Sequence, residues 1–261
     1  MKKVTNFLDL DRPETWDSEF QTLLYSESHW SRIRDKVIAD AGKFFSQLTC
    51  NQESQRDAFA LELREKAIRI LNKKYSHVIA YHGCRPISEQ SYLEKGIHPS
   101  DTVTLIDSAR KLFDGVGDFT KALEEIGQGY MEHNQGKVGL LLSEVWAKEH
   151  KNSYTSGSEL ILALANRLGS EAIRRFHNTG KPTLIKCLVP VVWLDEYTTF
   201  PVRRSYSDDI ITNLIRKRMW PKERFYGSEG GYLLMKTIPP ANILEFIDMT
   251  KFSKKEDFIE S

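Results

Sequence analysis

The residue best placed for chemistry in this chain is His82, in the segment AYHGCRP at residues 80–86. The apolar run VIA at residues 78–80 precedes it and a proline closes the segment, which is typical of a buried strand that leads into a turn. A helix is expected from about Ile87, because proline suits a helix start and Gly96 suits the position just past a helix end. His82 is therefore predicted to lie at the end of a strand, where its imidazole can face a cleft. The alternative is a structural histidine whose hydrogen bonds are satisfied within the fold.

Apolar periodicity predicts the other elements that would position this histidine. Strands are expected over residues 137–143, 181–192, 232–237 and 243–248. Helices are expected over residues 13–25, 30–45, 52–74, 87–95, 103–113, 119–133, 156–168 and 206–219. The chain before His82 thus reads as helical, and the strands follow it.

The segment YHGCRP (81–86), followed after a short helix by YLEKGIHPS (92–100), carries a family resemblance. It resembles the first strand and helix of ADP-ribosyltransferases of the diphtheria-toxin and poly(ADP-ribose) polymerase type, which have Tyr-His-Gly, then a helix, then Gly-Ile. The resemblance implies that NAD is bound, that His82 hydrogen-bonds a ribose hydroxyl, and that the Gly83 backbone holds the nicotinamide amide. Without a Cβ, glycine lets a flat ring lie against the peptide. Tyr81 and Arg85 flank this pair and join the expected cofactor-binding residues.

The same resemblance implies aromatic contacts to the nicotinamide ring. In that family one tyrosine on the second strand and another on the next helix lie against the ring from opposite sides. Tyr154, eleven residues after Ser143, matches the second tyrosine, and both residues are expected to bind the cofactor. The first tyrosine is replaced by Leu141 or a neighbour, and a leucine lacks the quadrupole and the contact area of a ring.

A carboxylate is the remaining requirement of this chemistry. Cleavage of the nicotinamide–ribose bond develops an oxocarbenium-like sugar, which a carboxylate on the ribose 2′-OH stabilises, and no metal is needed. By the resemblance, Glu229 in the Gly-rich turn before residues 232–237 is the catalytic candidate, although counting back from the Pro-Pro turn puts the expected position nearer Gly231. Glu159 is the reserve candidate. The alternatives are a solvated turn for Glu229, and helix capping with dipole stabilisation for Ser158 and Glu159.

Composition limits the class of protein. The chain has 261 residues, a formal net charge of +1 and three cysteines without metal-ligand spacing, so neither a global nucleic-acid footprint nor a zinc site is indicated. The first residues lack an apolar signal region and no stretch approaches eighteen apolar residues, so a cytoplasmic protein without membrane insertion is expected. The sequence has no GxGxxG after a strand, no Walker A sequence, no HExxH and no GxSxG.

The predicted fold class is α+β, with an ADP-ribosyltransferase-like split β-sheet and an N-terminal helical region. The expected division is a helical region over residues 1–75, an NAD-binding catalytic domain over 76–250 and a C-terminal tail over 251–261.

The expected function is transfer of ADP-ribose from NAD to a macromolecular acceptor, either nucleic acid or protein, by a toxin or phage-defence effector that a cognate antitoxin would neutralise. Three alternatives stay open: an NAD glycohydrolase, an RNA 2′-phosphotransferase, and a catalytically inactive module that binds NAD or protein.

Overall fold

The computed structural model describes residues 6–25, 31, 64–127, 135–149, 157–195, 198–199, 204–205, 210–211, 214 and 232–252. The chain divides into two compact units, which we call unit 1 (Met1–Val78 and Pro190–Gly230) and unit 2 (Ile79–Val189 and Gly231–Ser261). The predicted boundary between residues 75 and 76 lies three residues before the chain first passes from unit 1 to unit 2.

The described chain contains both helices and strands, with runs of helices between residues 84 and 138 and between residues 140 and 183. The helices are α1 (Ser18–Tyr25), α2 (64–74), α3 (Gln90–Lys95), α4 (Thr102–Leu112), α5 (Phe119–Ile126), α6 (Glu144–Glu149), α7 (Glu159–Leu168), α8 (Ser170–Asn178) and α9 (Val191–Asp195). The strands are β1 (Phe7–Leu8), β2 (His77–Cys84), β3 (Val138–Leu140), β4 (Thr183–Pro190), β5 (Thr198–Thr199), β6 (Arg204–Ser205), β7 (Tyr232–Leu234) and β8 (Ile243–Asp248). Short 3₁₀ turns cover Pro13–Thr15 and Pro240–Asn242.

Unit 1 is built on aromatic packing. Trp16, which precedes α1, and Phe20, which lies on α1, are buried, with ring centroids 5.2 Å from each other. Phe20 also meets the ring of Tyr75 edge-on at 5.6 Å. The Tyr75 hydroxyl accepts a hydrogen bond from the backbone N–H of Asp17 at 2.6 Å, so this buried phenol has a polar partner. The predicted apolar face of residues 13–25 is therefore a core face.

The sheet of unit 2 contains β2, β4 and β8 side by side in that order. Strands β4 and β8 are antiparallel, with a register shift between Lys186 and Cys187. One cluster of buried apolar side chains lies against this sheet and comes from several elements: Ile79, Tyr81, Leu141, Ala147, Leu184, Leu188 and Met249. Separately, β3 pairs antiparallel with β7. A single antiparallel bridge, between Tyr81 and Leu141, joins β2 to the end of β3.

The second core of unit 2 is helical. Helix α7 packs against α4, α5 and α8. The buried residues of this helical core come from all four helices and recur at helical spacing: Ala109, Phe113, Ala122, Leu160, Leu164, Ala165, Ala172 and Phe176. The described residues thus form a mixed α/β structure with antiparallel pairs, which is compatible with the predicted α+β class. Within the described ranges, no helix has the length and apolar character needed to cross a membrane.

Candidate functional site

His82 lies near the end of β2 and its ring is half-buried. Its Nδ1 is 2.8 Å from the carbonyl oxygen of Gly139. A carbonyl oxygen can only accept, so Nδ1 must carry a proton and donate. In the neutral ring Nε2 is then a hydrogen-bond acceptor.

The surroundings of His82 favour this neutral form. Burial lowers the pKa of His82 below its ordinary value of 6.5, and the hydrogen bond to Gly139 opposes that shift only in part. At neutral pH the imidazole is therefore uncharged. Nε2 receives no hydrogen bond from the part of the chain that the structure describes.

Strands β2 and β3 separate just beyond their single bridge. The backbone N–H and C=O of Tyr81 bond the C=O and N–H of Leu141, at 2.7 and 2.8 Å. In a continuing antiparallel ladder, the next bonded pair would be Gly83 and Gly139. Instead the bridge is isolated, and the oxygen of Gly139 accepts from the His82 side chain.

We call the space between Gly83 and Gly139 the β2–β3 gap. Alternate residues of a strand direct their backbone groups to the same edge, so the N–H and C=O of Gly83 face β3 as those of Tyr81 do. No described residue forms a backbone bridge to Gly83 across this gap. As far as the described residues go, a donor and an acceptor of Gly83 thus have no backbone partner on the edge beside the His82 ring.

Gly139 forms the β3 edge of the gap. It is exposed, and a Cβ built on it would meet no atom within 4 Å. On its other edge β3 is paired with β7, where Gly139 lies opposite Leu233. The gap therefore opens beside a position that carries no side chain.

Arg85 fixes the chain that leaves the gap. Its Nη2 donates to the carbonyl of His177 at 2.6 Å and its Nε to that of Thr179 at 3.3 Å. The guanidinium also lies over the Phe176 ring, 5.6 Å from the centroid. Burial lowers the pKa of Arg85, but the group stays a cation. Arg85, predicted to bind the cofactor, therefore caps the carboxyl end of α8, where a cation is favoured by the helix dipole.

Two other predicted residues also have partners within the protein. The Tyr81 ring is buried in the sheet core, with Lys186 Nζ 5.9 Å from its centroid. The Ser143 hydroxyl accepts from the backbone N–H of Trp146 at 3.0 Å and so caps the start of α6. Leu141, at the position where the resemblance implies a tyrosine, is 1% exposed in the same core as Tyr81.

Glu159, the reserve carboxylate, forms no hydrogen bond or ion pair with His82 in the described structure. Glu159 is exposed in the first turn of α7, next to Ser158, whose Oγ accepts from the backbone N–H of Ile161 at 3.4 Å. That is the capping arrangement considered from sequence. Glu229 and Tyr154 lie outside the described residues. Of the predicted site residues, the consecutive pair His82 and Gly83 lies beside the gap.

Gly139 is the part of this site that our sequence reasoning missed. A glycine inside the apolar run KVGLLLS is a recognisable feature, since glycine within a strand marks a bulge or a close backbone approach. The hydrogen bond between His82 and Gly139 spans 57 residues of sequence, and no local pattern predicts it.

Nucleophilic cysteine chemistry is disfavoured for the two cysteines within the described ranges. Burial raises the pKa of Cys84 to about 12 and that of Cys187 to about 12. Both side chains therefore stay protonated at neutral pH, and a thiol is a poor nucleophile compared with a thiolate. Among the residues that the structure describes, no three His, Cys, Asp or Glu side chains are grouped so that they could hold a metal ion.

Comparison of the chain with protein-family models, with curated proteins and with solved structures finds no match.

Proposed function

We propose that this protein is an ADP-ribosyltransferase that moves ADP-ribose from NAD to a macromolecular acceptor. One observation carries the proposal: a neutral imidazole, His82, lies beside a gap between two strands whose edges are the backbones of Gly83 and Gly139. The resemblance of YHGCRP and YLEKGIHPS to ADP-ribosyltransferases supports it.

The gap offers chemistry that suits the nicotinamide half of NAD. A carboxamide has an NH₂ donor and a carbonyl acceptor, and the C=O and N–H of Gly83 complement both. Absence of a Cβ at residue 83 lets a ring approach the peptide closely. Nε2 of His82 can accept a hydrogen bond from a ribose hydroxyl.

The reaction requires stabilisation of the positive charge that develops on the ribose. The bond between nicotinamide and ribose breaks with its electron pair on the departing nitrogen, which becomes neutral, and a nucleophile of the acceptor forms the new bond to the ribose C1′. A carboxylate on the 2′-OH stabilises the oxocarbenium-like sugar between these events. We assign this role to Glu229, with Glu159 as the alternative. The acceptor is nucleic acid or protein, and the cellular role we propose is that of a toxin or phage-defence effector with a cognate antitoxin.

One observation favours a second candidate, a module that binds NAD without turnover. The position that would hold the strand tyrosine is Leu141, and this side chain is packed in the core. A ring held on one face only is less firmly oriented for cleavage, because aromatic stacking on the other face is missing.

The test is incubation of the purified protein with NAD labelled in its adenylate half, together with RNA, DNA or protein. We expect label on one macromolecular pool. Free labelled ADP-ribose would identify a glycohydrolase, loss of phosphate from RNA bearing a 2′-phosphate would identify the phosphotransferase, and untouched NAD would leave only the binding module.

Variants assign the carboxylate in the same assay. Glu229→Gln is expected to lower the transfer rate by about 10²–10³-fold, since it removes a charge that stabilises the transition state. Loss in Glu159→Gln with retained activity in Glu229→Gln would move the assignment to Glu159. Glu124→Gln, an exposed position on α5, is the matched control and should leave the rate unchanged.

A further inference from the structure

Gly139 forms the β3 edge of the β2–β3 gap. A side chain at residue 139 would point to the same face of the sheet as one at residue 83. Tyr81 and Leu141 form a bonded pair, and directly opposed residues of antiparallel strands point their side chains to the same face. Two residues further on, Gly83 and Gly139 return to that face. Both positions lack a side chain of their own, and a Cβ on Gly139 would meet no atom within 4 Å.

Within the described part of the fold, neither crowding nor backbone conformation requires glycine at residue 139. Gly96, by contrast, has φ of +84° and a Cβ there would lie 2.2 Å from the Ile238 oxygen. Gly139 has no left-handed backbone conformation, and a Cβ there would meet nothing within 4 Å. Glycine inside a strand weakens it relative to alanine. An unexplained and mildly destabilising glycine at the mouth of a candidate site is best accounted for by the site.

We infer that Gly139 determines ligand specificity: its missing side chain leaves the β3 edge of the gap open, so that the flat nicotinamide ring can lie against the Gly83 peptide. This rests on the proposed NAD site and adds to it a residue on the second strand. The nicotinamide ring, and not the ADP-ribose part of the ligand, is the group that a side chain at residue 139 would exclude.

The experiment compares Gly139→Ala and Gly139→Leu with the unaltered protein. Calorimetric titration measures the affinity of each for NAD, for nicotinamide and for ADP-ribose, which has no nicotinamide ring. We expect Gly139→Leu to weaken binding of NAD and nicotinamide by about tenfold or more, as overpacking does in a filled site, and Gly139→Ala to weaken it less. ADP-ribose affinity and the thermal midpoint should not fall in either variant.

Met235→Ala is the matched control. Met235 is exposed and directly follows β7, on the edge of β3 away from the gap, and its replacement should change none of the three affinities. If Gly139→Leu does not fold, the alanine variant carries the comparison, because a Cβ at this position has open space.

The outcomes separate the inference from the proposed function. If the unaltered protein binds NAD but Gly139→Leu binds NAD and nicotinamide as tightly, the role of Gly139 is overturned and the NAD site stands. Equal loss of ADP-ribose affinity would also overturn it, because the substitution would then disturb the whole site. If the unaltered protein binds none of the three ligands, the proposed function fails and the inference fails with it.

Discussion

Burial keeps His82 neutral, while a carbonyl on the neighbouring strand fixes which ring nitrogen carries the proton. The proton state of this imidazole should control binding. Protonation places a hydrogen on Nε2, which can then no longer accept from a ribose hydroxyl. Since burial lowers the pKa of His82, NAD affinity should be full above pH 6.5 and should fall as the pH drops through the lowered pKa. Titration calorimetry over a pH series from about 5 to about 8 measures this, a range in which histidine titrates.

The lowered pKa of His82 also makes the folding stability depend on pH, and the direction of this dependence follows from the direction of the shift. The folded pKa lies below the unfolded one, so the unfolded chain binds more protons as the pH falls. The contribution of His82 is therefore fully present above pH 6.5 and is lost as the pH drops through the folded pKa. His82→Gln should flatten this part of both pH profiles. An unchanged binding profile in His82→Gln would contradict the assigned role.

At the residue scale, sequence predicts what depends on neighbours in the chain. The apolar run before His82 correctly indicated a strand that carries the histidine near its end. The partners of Arg85 could not be found in this way. Arg85 lies next to the motif in sequence, but its bonds go to His177 and Thr179, 92 and 94 residues away. The local sequence does not predict which carbonyl groups a guanidinium will hydrogen-bond.

At the element scale, helix ends set by glycine were predicted well. Gly96 and Gly169 follow α3 and α7, with φ of 84° and 98°, as their places in the sequence indicated. Strand β8 has the bounds that its pattern predicted. Capping and alternation are local, so a single sequence carries them.

Three helices were not predicted: α6, α8 and α9, the last of which begins inside the strand expected over residues 181–192. For α6 and α8 the reason is physical. Helix α6 is six residues long, and helix α8 buries only Ala172 and Phe176. A helix of six residues is too short to show apolar periodicity, and α8 has few apolar residues among many charged ones although they share one face, so neither was recognised. Packing on α7 and the Arg85 cap at its carboxyl end stabilise α8, and both are contacts made by residues far apart in sequence.

The residues that follow α3 are bonded to a distant part of the chain, and this contact gives a prediction about stability. Ile97 and Ile238 form an antiparallel bridge, and a Cβ on Gly96 would lie 2.2 Å from the Ile238 oxygen. Gly96→Ala should therefore disrupt the bridge as well as strain the backbone. We expect it to lower the free energy of unfolding by about 1–3 kcal/mol more than a glycine replaced in open space, which is the usual cost of overpacking.

Gly115→Ala is the matched control for this prediction. Gly115 has φ of +73°, close to the +84° of Gly96, but a Cβ there would meet nothing within 4 Å. The two variants share the conformational strain, so the difference between their urea midpoints isolates the crowding at Ile238. Equal destabilisation would show that Ile238 moves aside without cost.

At the scale of the whole molecule, the chain does not follow a simple sequential division. Unit 1 takes Pro190–Gly230 together with the N-terminal residues, and unit 2 takes the stretches on either side of that segment. Composition changes along the chain mark boundaries between neighbours in sequence, and they cannot show that two distant stretches fold together. The formal net charge of +1 likewise gives no indication of the acceptor, because electrostatic attraction to a polyanion needs a basic surface.

Ligand binding should be visible in the stability of the entire chain. A ligand that binds only the folded state adds about 2.7 kcal/mol at a concentration 100 times its Kd. For a chain of 261 residues this corresponds to a rise in the thermal midpoint of about 5–10 °C. If the units unfold in separate steps, the step of unit 2 should move, because His82 and the β2–β3 gap belong to it. Scanning calorimetry with NAD, and with ATP as an adenine nucleotide that lacks nicotinamide, measures both effects. An equal shift with ATP would mean that the adenylate half alone is recognised, and the absence of any shift with NAD would contradict an NAD site, since binding to the folded state must stabilise it.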